Sequence, residues 1–176
     1  MSSLIRFSPG ATALVLDSAH SGVSYPDDPR FACDLAIMRQ SEDTHVEKLY
    51  DFAPALDVAW SVALSPRAYL DANRNITEID VSLLDAPWAE PIETDPVVGD
   101  RDGSIASKRL AKSICSHLER LGDSVAYNHP YKGVELVRRY GNPGQHRHSL
   151  QLEINRELYM DEKTPGTPCI THREFV

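Results

Sequence analysis

The pattern of apolar and polar positions along the chain predicts an α/β protein. The continuous apolar run at residues 12–16 is typical of a buried parallel strand and ends in a polar turn at residues 17–22, and residues 58–64 predict a further extended segment. Apolar residues then recur at helical spacing over residues 42–56, behind an acidic start that favours a helix N-terminus. Strands and helices therefore alternate, as in a sheet with helices packed on it.

The second half of the chain continues this alternation. A second helix is predicted over residues 104–121, with Ser104 as its N-cap and Gly122 at its end. Further extended segments are predicted at residues 67–73, 125–128 and 149–155. The prolines and glycines of residues 75–103 and 129–146 predict irregular chain there.

Length and composition indicate one soluble globular domain. Of the 176 residues, 41% are apolar and 25% are charged, within the usual range for such proteins. We expect a single domain over residues 1–162 and a poorly ordered tail over residues 163–176, where periodicity is weak. Cys33, Cys115 and Cys169 form neither an even disulfide set nor a close metal-binding pair, so we expect them to be reduced.

Charge and hydropathy exclude several classes of partner. The net charge is −8, and basic residues are interleaved with acidic ones, which argues against a nucleic-acid-binding surface. The longest early apolar run, residues 13–16, is too short for a signal sequence or a membrane span. We therefore expect a cytoplasmic protein with no nucleic-acid or membrane partner.

Six short polar blocks lie in order between residues 13 and 162. They are Asp17-Ser18-Ala19-His20-Ser21-Gly22, Ser41-Glu42-Asp43, Asp71-Ala72-Asn73-Arg74, Val98-Gly99-Asp100-Arg101-Asp102-Gly103, Asn128-His129-Pro130-Tyr131-Lys132-Gly133 and the stretch 148–162. Together they resemble the N-formylglutamate amidohydrolase family, with Ala19 where proline is common. The resemblance implies metal-dependent hydrolysis of N-formyl-L-glutamate, or of a similar small anionic N-acyl amino acid. It also implies a mixed, largely parallel sheet flanked by helices, similar to the zinc carboxypeptidases and phosphorylase/hydrolase-like folds.

One departure from the family pattern concerns its middle. Between residues 80–90 and 95–103, family members carry a long section with a Pro-Tyr-His helix and an Asp-Cys-His-Ser strand end, and its histidine is the family's later metal ligand. This chain passes from one flank to the other almost directly, and it also ends soon after Glu162. We therefore expect a fold that is incomplete relative to the family, with exposed strand edges that favour a homo-oligomer or poor solubility.

The resemblance implies a divalent metal, zinc, held by His20 and Asp43. Zinc lowers the pKa of a bound water to about 7 and acts as a Lewis acid, which suits amide hydrolysis. His20 follows a predicted strand end, where open α/β sheets place ligands, although a turn histidine can also simply bond to backbone. Asp43 could instead be an ordinary acid at a helix N-terminus, with Glu42 as the neighbouring alternative ligand.

Three other histidines could replace the missing ligand. They are His129, His146 and His148, and none has the close spacing of a preformed site. With only two protein ligands, zinc binding is expected to be weak, because catalytic zinc sites use three.

The remaining site residues are expected to bind substrate or to move protons. Asn73 and Arg74 resemble a pair that binds a substrate carboxylate, for which the planar guanidinium offers paired donors. Alternatively, Arg74 is a surface residue in a salt bridge. Tyr131 is assigned to a substrate-side loop, with Lys132 and Gly133 beside it. Arg138 is the second expected anion contact.

Glu153 is the expected general base. Strand alternation places Gln151, Glu153 and Asn155 on one face of the last strand and apolar residues on the other. If this strand is central in the sheet, its polar face needs a cavity or water, and Glu153 would take a proton from the attacking water and pass it to the leaving amine. The alternative is an exposed acid on an edge strand.

Two functions from different classes remain open at this point. The first is a working amidohydrolase that cleaves N-acyl amino acids. The second is a non-catalytic relative that keeps a carboxylate-binding pocket but lacks a competent metal centre. Retained motifs favour the first, and loss of the middle section favours the second.

Overall fold

The computed structural model describes residues 3–26, 33–75 and 96–161. The chain divides into two compact units, one formed by Met1–Ala72 with Arg156–Val176 and the other by Asn73–Asn155. They are called unit 1 and unit 2 below. The predicted tail at residues 163–176 lies outside the described residues, and the prediction of a single domain stays a prediction.

Unit 1 is built on a three-stranded mixed sheet. Its strands are β1 (Ile5–Ser8), β2 (Val15–Ser18) and β3 (Ala59–Ala63), in the order β1-β3-β2. β2 runs parallel to β3, and β1 runs antiparallel to it. The segments at residues 12–16 and 58–64 thus predict two of the strands, but the expected burial of the first is wrong, since Val15 and Asp17 on β2 are exposed. β1 is too short to carry a clear pattern.

The core of unit 1 lies on one face of this sheet. Trp60 and Val62 on β3 pack with Ala53 and Val58, and partly buried residues close the cluster: Leu16, Tyr50 and Leu64. The buried indole Nε1 of Trp60 donates a hydrogen bond to Ser18 Oγ at 3.2 Å. This bond links the central strand to the end of β2.

The helical segments of unit 1 are shorter than predicted. They comprise α1 (Leu35–Arg39) and three 3₁₀ helices, Val46–Tyr50, Ala53–Leu56 and Arg156–Leu158. The prediction of one continuous helix over residues 42–56 is wrong, because His45 adopts a left-handed backbone with φ 75° and Pro54 interrupts the pattern. The predicted strand at residues 67–73 is also wrong, since Tyr69 N and Leu70 N both donate to the Pro66 carbonyl at 2.9 Å and form a turn.

Unit 2 contains a second mixed sheet. β4 (Val97–Gly99) lies between β5 (Ala126–Tyr127), which is parallel to it, and β6 (Gln151–Glu153), which is antiparallel. The helices in the described part of unit 2 are α2 (Lys108–Leu121), α3 (Glu135–Tyr140) and a 3₁₀ turn, Pro143–Gln145. The mixed α/β class is confirmed, but each described sheet has one parallel and one antiparallel pair rather than a largely parallel arrangement.

Three details of unit 2 correct the predictions. α2 begins at Lys108, where Ser107 Oγ accepts from Leu110 N at 3.2 Å, so Ser107 rather than Ser104 is the N-cap. Its predicted end at Gly122, φ 99°, is confirmed. α3 and β4 lie in stretches predicted to be irregular, and β6 is at the edge of the described sheet rather than at its centre.

Asp100, directly after β4, holds the middle of unit 2 together. It is fully buried, and its carboxylate accepts hydrogen bonds from Tyr127 Oη at 2.6 Å, from Asn128 Nδ2 at 2.8 Å and from Gly103 N at 2.8 Å. Burial by itself raises the pKa of this carboxyl, but the hydrogen bonds outweigh it and hold the pKa below its usual value. Asp100 therefore has a structural role.

In the part of the chain that the structure describes, no helix has the length and apolar character needed to cross a membrane.

Candidate functional site

The most prominent polar cluster of unit 1 surrounds the imidazole of His20. Nδ1 lies 3.3 Å from Asp43 Oδ2, and Nε2 lies 2.8 Å from Asp71 Oδ1. The Arg67 guanidinium completes the group, with NH1 2.8 Å from Asp43 Oδ2 and NH2 3.8 Å from Asp71 Oδ2. These four residues are called the His20 cluster. In it the two carboxylates lie between the imidazole of His20 and the guanidinium of Arg67.

The parallel strands of unit 1 explain why distant residues meet here. β2 and β3 run side by side in register, so their carboxyl ends lie at the same edge of the sheet, the edge where α/β proteins place ligands. His20 lies in the turn after β2, and Arg67 and Asp71 lie in the turn and loop after β3. Asp43 comes from the segment between α1 and the next 3₁₀ helix.

Gly22 allows the two strand ends to approach this closely. A Cβ on Gly22 would overlap the backbone of Leu64 and Ser65, which follow β3. A flexible side chain could move aside, but a strand backbone cannot move without disturbing the sheet. The glycine of the block at residues 17–22 is therefore explained by packing.

The charges in the His20 cluster shift the ionisation of its members. Burial lowers the pKa of His20, but the hydrogen bonds with Asp43 and Asp71 more than compensate and raise it above its usual value. Burial raises the pKa of Asp43, yet the bond to His20 and the positive charge of Arg67 hold it below its usual value. Because both ring nitrogens face carboxylates, the arrangement favours an imidazolium.

The fit of this cluster to a zinc ion is incomplete. His20 Nδ1 and Asp43 Oδ2 are close enough to contact one ion, and Asp71 resembles the carboxylate that commonly supports a metal-bound histidine. A catalytic zinc site uses three protein ligands, however, and the described residues contain no group of three His, Cys, Asp or Glu that could hold a metal. Arg67 also bonds the Asp43 oxygen that faces His20. The described residues therefore do not complete the zinc site.

The alternative ligands do not supply the third donor within the described residues. Glu42 is buried, with 4% exposure, and its carboxylate accepts from Thr44 Oγ1 at 3.3 Å. His129, His146 and His148 are all exposed in unit 2. None of these four belongs to a possible metal-binding group in the described ranges.

In unit 2, Glu153 lies in a separate hydrogen-bonded group. Its Oε1 accepts from Gln151 Nε2, as expected for two residues on the same face of β6. Gln151 Oε1 in turn accepts from Val134 N at 3.0 Å and from Asn73 Nδ2 at 3.3 Å. Asn73 is buried and its Oδ1 accepts from Leu136 N at 2.9 Å, so its amide contacts protein at both ends.

The other expected substrate residues of unit 2 are more accessible. Arg74 is half-buried beside Asn73, and Tyr131 is exposed on the loop before α3. Arg138 makes two 2.7 Å bonds to the carboxylate of Glu135, which hold the pKa of that acid below its usual value. Lys132 pairs with Asp102 at 2.9 Å on the surface.

Sequence reasoning missed two members of the His20 cluster and the contact partner of Glu153. Asp71 lies within one of the six blocks, but the resemblance implies no role for it, and Arg67 lies outside the blocks. Both follow the second parallel strand, so the rule that ligands gather at carboxyl strand ends could have found them. Gln151 was placed on the correct face without a role.

Taken separately, the two units define a mixed α/β protein with the clustered, perturbed titratable groups that are typical of enzyme active sites. The family described as N-formylglutamate amidohydrolase matches residues 12–96 and 85–160. The chain belongs to this family.

Individual relatives extend this result. Proteins named N-formylglutamate deformylase from Pseudomonas putida and Pseudomonas aeruginosa are 34% and 37% identical over 73 and 71 residues. These alignments span 42% and 39% of this chain but only 23% and 26% of the relatives. The chain thus spans about a quarter of the length of the curated relatives that it matches.

A solved structure resembles the whole fold. The crystal structure of N-formylglutamate amidohydrolase from Ralstonia eutropha JMP134 has a TM-score of 0.79 and 26% identity, over 92% of this chain and 89% of that chain. The likeness therefore extends over most of this chain.

Proposed function

We propose that this protein hydrolyses the amide of N-formyl-L-glutamate, or of a similar N-acyl amino acid, to the free amino acid and formate or another acid. One observation carries the proposal: separate sequence blocks of the family converge on the His20 imidazole. Asp43 from the second block lies 3.3 Å from one ring nitrogen, and Asp71 from the third lies 2.8 Å from the other. Unrelated matches to short motifs would not require this contact.

Two residues of unit 2 are given chemical roles. Glu153 accepts the proton of the attacking water and passes it to the leaving amine, a step that needs a carboxylate held in a fixed position. Arg74 binds the α-carboxylate of the substrate through its planar fork of N–H donors. The small anionic substrate named in the relatives supplies the carboxylates that such a group recognises.

The test of these roles is a pair of matched variants. Arg74→Lys keeps the charge but loses the fork, so affinity for N-formyl-L-glutamate should fall roughly ten- to hundredfold, the effect of losing one charge-assisted bond. Glu153→Gln keeps the shape but cannot accept a proton, so it should bind normally and release no formate. Calorimetry and formate release measure the two effects.

The parent protein is the control for both variants. If the parent releases neither formate from N-formyl-L-glutamate nor the free amino acid from similar N-acyl amino acids, the proposed activity is wrong. If Arg74→Lys binds like the parent, or Glu153→Gln turns over at the parent rate, the activity stands and the role of that residue is wrong.

Metal dependence forms a second part of the proposal. His20 and Asp43 would be two ligands of a zinc ion, and with no third among the described residues we expect weak binding. After dialysis against trace zinc, the protein should retain clearly less than one equivalent, and His20→Gln should retain none. Stoichiometric retention by the parent would contradict weak binding and reveal a third ligand.

A non-catalytic, carboxylate-binding protein is the second candidate. The observation that favours it is the charge balance of the His20 cluster, in which Arg67 and an imidazolium already neutralise both carboxylates. Binding of N-formyl-L-glutamate that depends on Arg74, without formate release under any metal condition, would support this candidate.

A further inference from the structure

The amide of Gln151 joins three parts of unit 2 at one point. Its Oε1 accepts from Val134 N and from Asn73 Nδ2, at 3.0 and 3.3 Å, while its Nε2 donates to Glu153 Oε1. The residue is half-buried on β6, two positions before the proposed base.

The orientation of this amide is fixed by the backbone. Val134 N can only donate, so the atom that faces it must be the carbonyl oxygen of Gln151, which turns the NH₂ group towards Glu153. The amide of Asn73 is fixed in the same way, because Leu136 N donates to its Oδ1 and leaves Nδ2 to face Gln151. Two backbone N–H groups at the start of α3 thus set the direction of both side chains.

We propose that Gln151 is a positioning residue for Glu153, an inference that rests on the proposed role of Glu153 as general base. The Gln151 N–H holds Oε1 of the carboxylate, so proton transfer falls to Oε2. A carboxylate without this bond can rotate about its side-chain torsions, and a displacement of about 1 Å can cost roughly a hundredfold in rate. Asn73 stabilises this arrangement because its Nδ2 donates to Gln151 Oε1.

A purely structural role for Gln151 is the competing explanation. In that case its carbonyl oxygen would matter, because it bonds Val134 N, and its N–H would not. Gln151→Glu separates the two, since a glutamate keeps an oxygen for Val134 and Asn73 but presents an oxygen, instead of an N–H, to Glu153.

Three variants test the positioning role. In Gln151→Glu we expect kcat to fall at least about tenfold with KM changed less than about threefold, and the melting temperature to fall by about 2–4 °C. Gln151→Glu combined with Glu153→Gln restores the bond between residues 151 and 153 with donor and acceptor exchanged, and it keeps the bonds from Val134 N and Asn73 Nδ2, so the melting temperature should recover while formate release stays absent. Gln145→Glu, the same chemical change at an exposed residue, is the matched control and should behave like the parent.

Each outcome decides between the explanations. A parent-like kcat in Gln151→Glu, or a melting temperature that does not recover in the double variant, would overturn the positioning role. If the parent itself releases neither formate nor a free amino acid from these substrates, the proposed function fails, but the recovery of the melting temperature still reports whether residues 151 and 153 are paired. The two proposals can thus fail independently.

Discussion

At the residue scale, the His20 cluster is notable for its charge balance. Protonated His20 and Arg67 carry two positive charges, and Asp43 and Asp71 carry two negative ones. A zinc ion on neutral His20 would leave the cluster with an excess of positive charge, so proton and metal compete for the same imidazole. Protonation of His20 should therefore stabilise the protein when no metal is bound.

This balance predicts a pH-dependent stability. The pKa of His20 is raised in the folded protein above its ordinary value of 6.5, so folding takes up a proton. The stabilisation is complete below about pH 6.5 and is lost as pH rises through the folded pKa. With a chelator present, His20→Gln should lower the free energy of unfolding by about 1.5–3 kcal/mol at pH 6, and by less at pH 9.

Denaturant unfolding of parent and variant at the two pH values measures this difference. His146→Gln, which changes an exposed histidine, is the control and should show no comparable dependence. A loss in His20→Gln that is the same at both pH values would contradict the protonated state of the cluster.

The sequence predicted individual site residues better than their environments. The polar block at residues 17–22 and the acid at position 43 were selected by resemblance, and the structure brings their side chains together. The resemblance gives no role to Asp71 or Arg67, although both follow β3, and ligands gather at the carboxyl ends of parallel strands. Their contact with His20 depends on the pairing of β2 with β3, which lie far apart in the sequence, so no local pattern predicts it.

At the element scale, the site depends on short segments that follow strands. The carboxyl ends of β2 and β3 carry the His20 cluster, and the segment after β4 carries the buried Asp100. Each of these segments is irregular, so side chains must satisfy the backbone groups that no ladder or helix satisfies. Asp100 performs this task by accepting from Gly103 N while also bonding Tyr127 and Asn128.

Asp100→Asn should therefore destabilise the protein without touching the proposed reaction. An amide has one accepting oxygen and an NH₂ group in place of the other, so a buried donor loses its partner, at a cost of about 2–3 kcal/mol at pH 7. Because the folded pKa of Asp100 is lowered, its contribution is present above the ordinary value of 3.8 and is lost as pH falls through the folded pKa. The difference from the parent should shrink at pH 3.

Denaturant titrations at pH 7 and pH 3 check this prediction. Asp102→Asn, at an acid whose side chain is 63% exposed and paired with Lys132, is the matched control and should stay within about 0.5 kcal/mol of the parent. Equal stability of Asp100→Asn and Asp102→Asn would contradict a structural role for the buried carboxylate.

Elements with a clear period were predictable, and short ones were not. β3 is predictable because apolar residues extend along the whole strand, and α2 because apolar residues recur at helical spacing over 14 residues. β1, β4 and α3 have four, three and six residues, too few for a period to stand out from chance. The predicted helix at residues 42–56 is wrong for another reason, because the left-handed backbone of His45 and the proline at position 54 divide the segment into two 3₁₀ helices.

At the scale of the whole molecule, one face of the unit 1 sheet carries exposed apolar side chains on its two outer strands. Ile5, Phe7 and Val15 lie on this face, which is opposite to Trp60 and Val62, and they are 56%, 60% and 62% exposed. Exposed apolar surface on a sheet favours association between molecules. If the protein self-associates, as the sequence predicts, we expect the contact to involve this surface.

Replacement of this surface should reduce self-association. Phe7→Thr with Val15→Thr keeps residues that suit strands but removes apolar area, so the sedimentation coefficient should depend less on protein concentration than in the parent. Sedimentation velocity over a range of concentrations measures this. Leu56→Thr, at a residue of unit 1 that is 61% exposed but outside the sheet, is the control. A parent that is monomeric at every concentration would contradict the prediction.

The division into two units was not predictable from the sequence. The boundary falls between Ala72 and Asn73, inside the block Asp71-Ala72-Asn73-Arg74, and no stretch rich in glycine, proline or serine marks it. One recognised motif therefore contributes Asp71 to the His20 cluster and Asn73 to the Gln151 group. Composition cannot reveal a boundary of this kind.

The contact of Gly22 with the chain after β3 limits how this protein can diversify. Where side chains separate two chain segments, substitutions that change side-chain size can change the distance between the segments. Here the backbone of Gly22 contacts the backbone of Leu64 and Ser65 directly, so replacing side chains one at a time does not increase the distance between these segments. Descendants with new preferences would have to change the residues that surround the edge, such as those near Asp43 or Asp71, while the spacing at Gly22 is inherited unchanged.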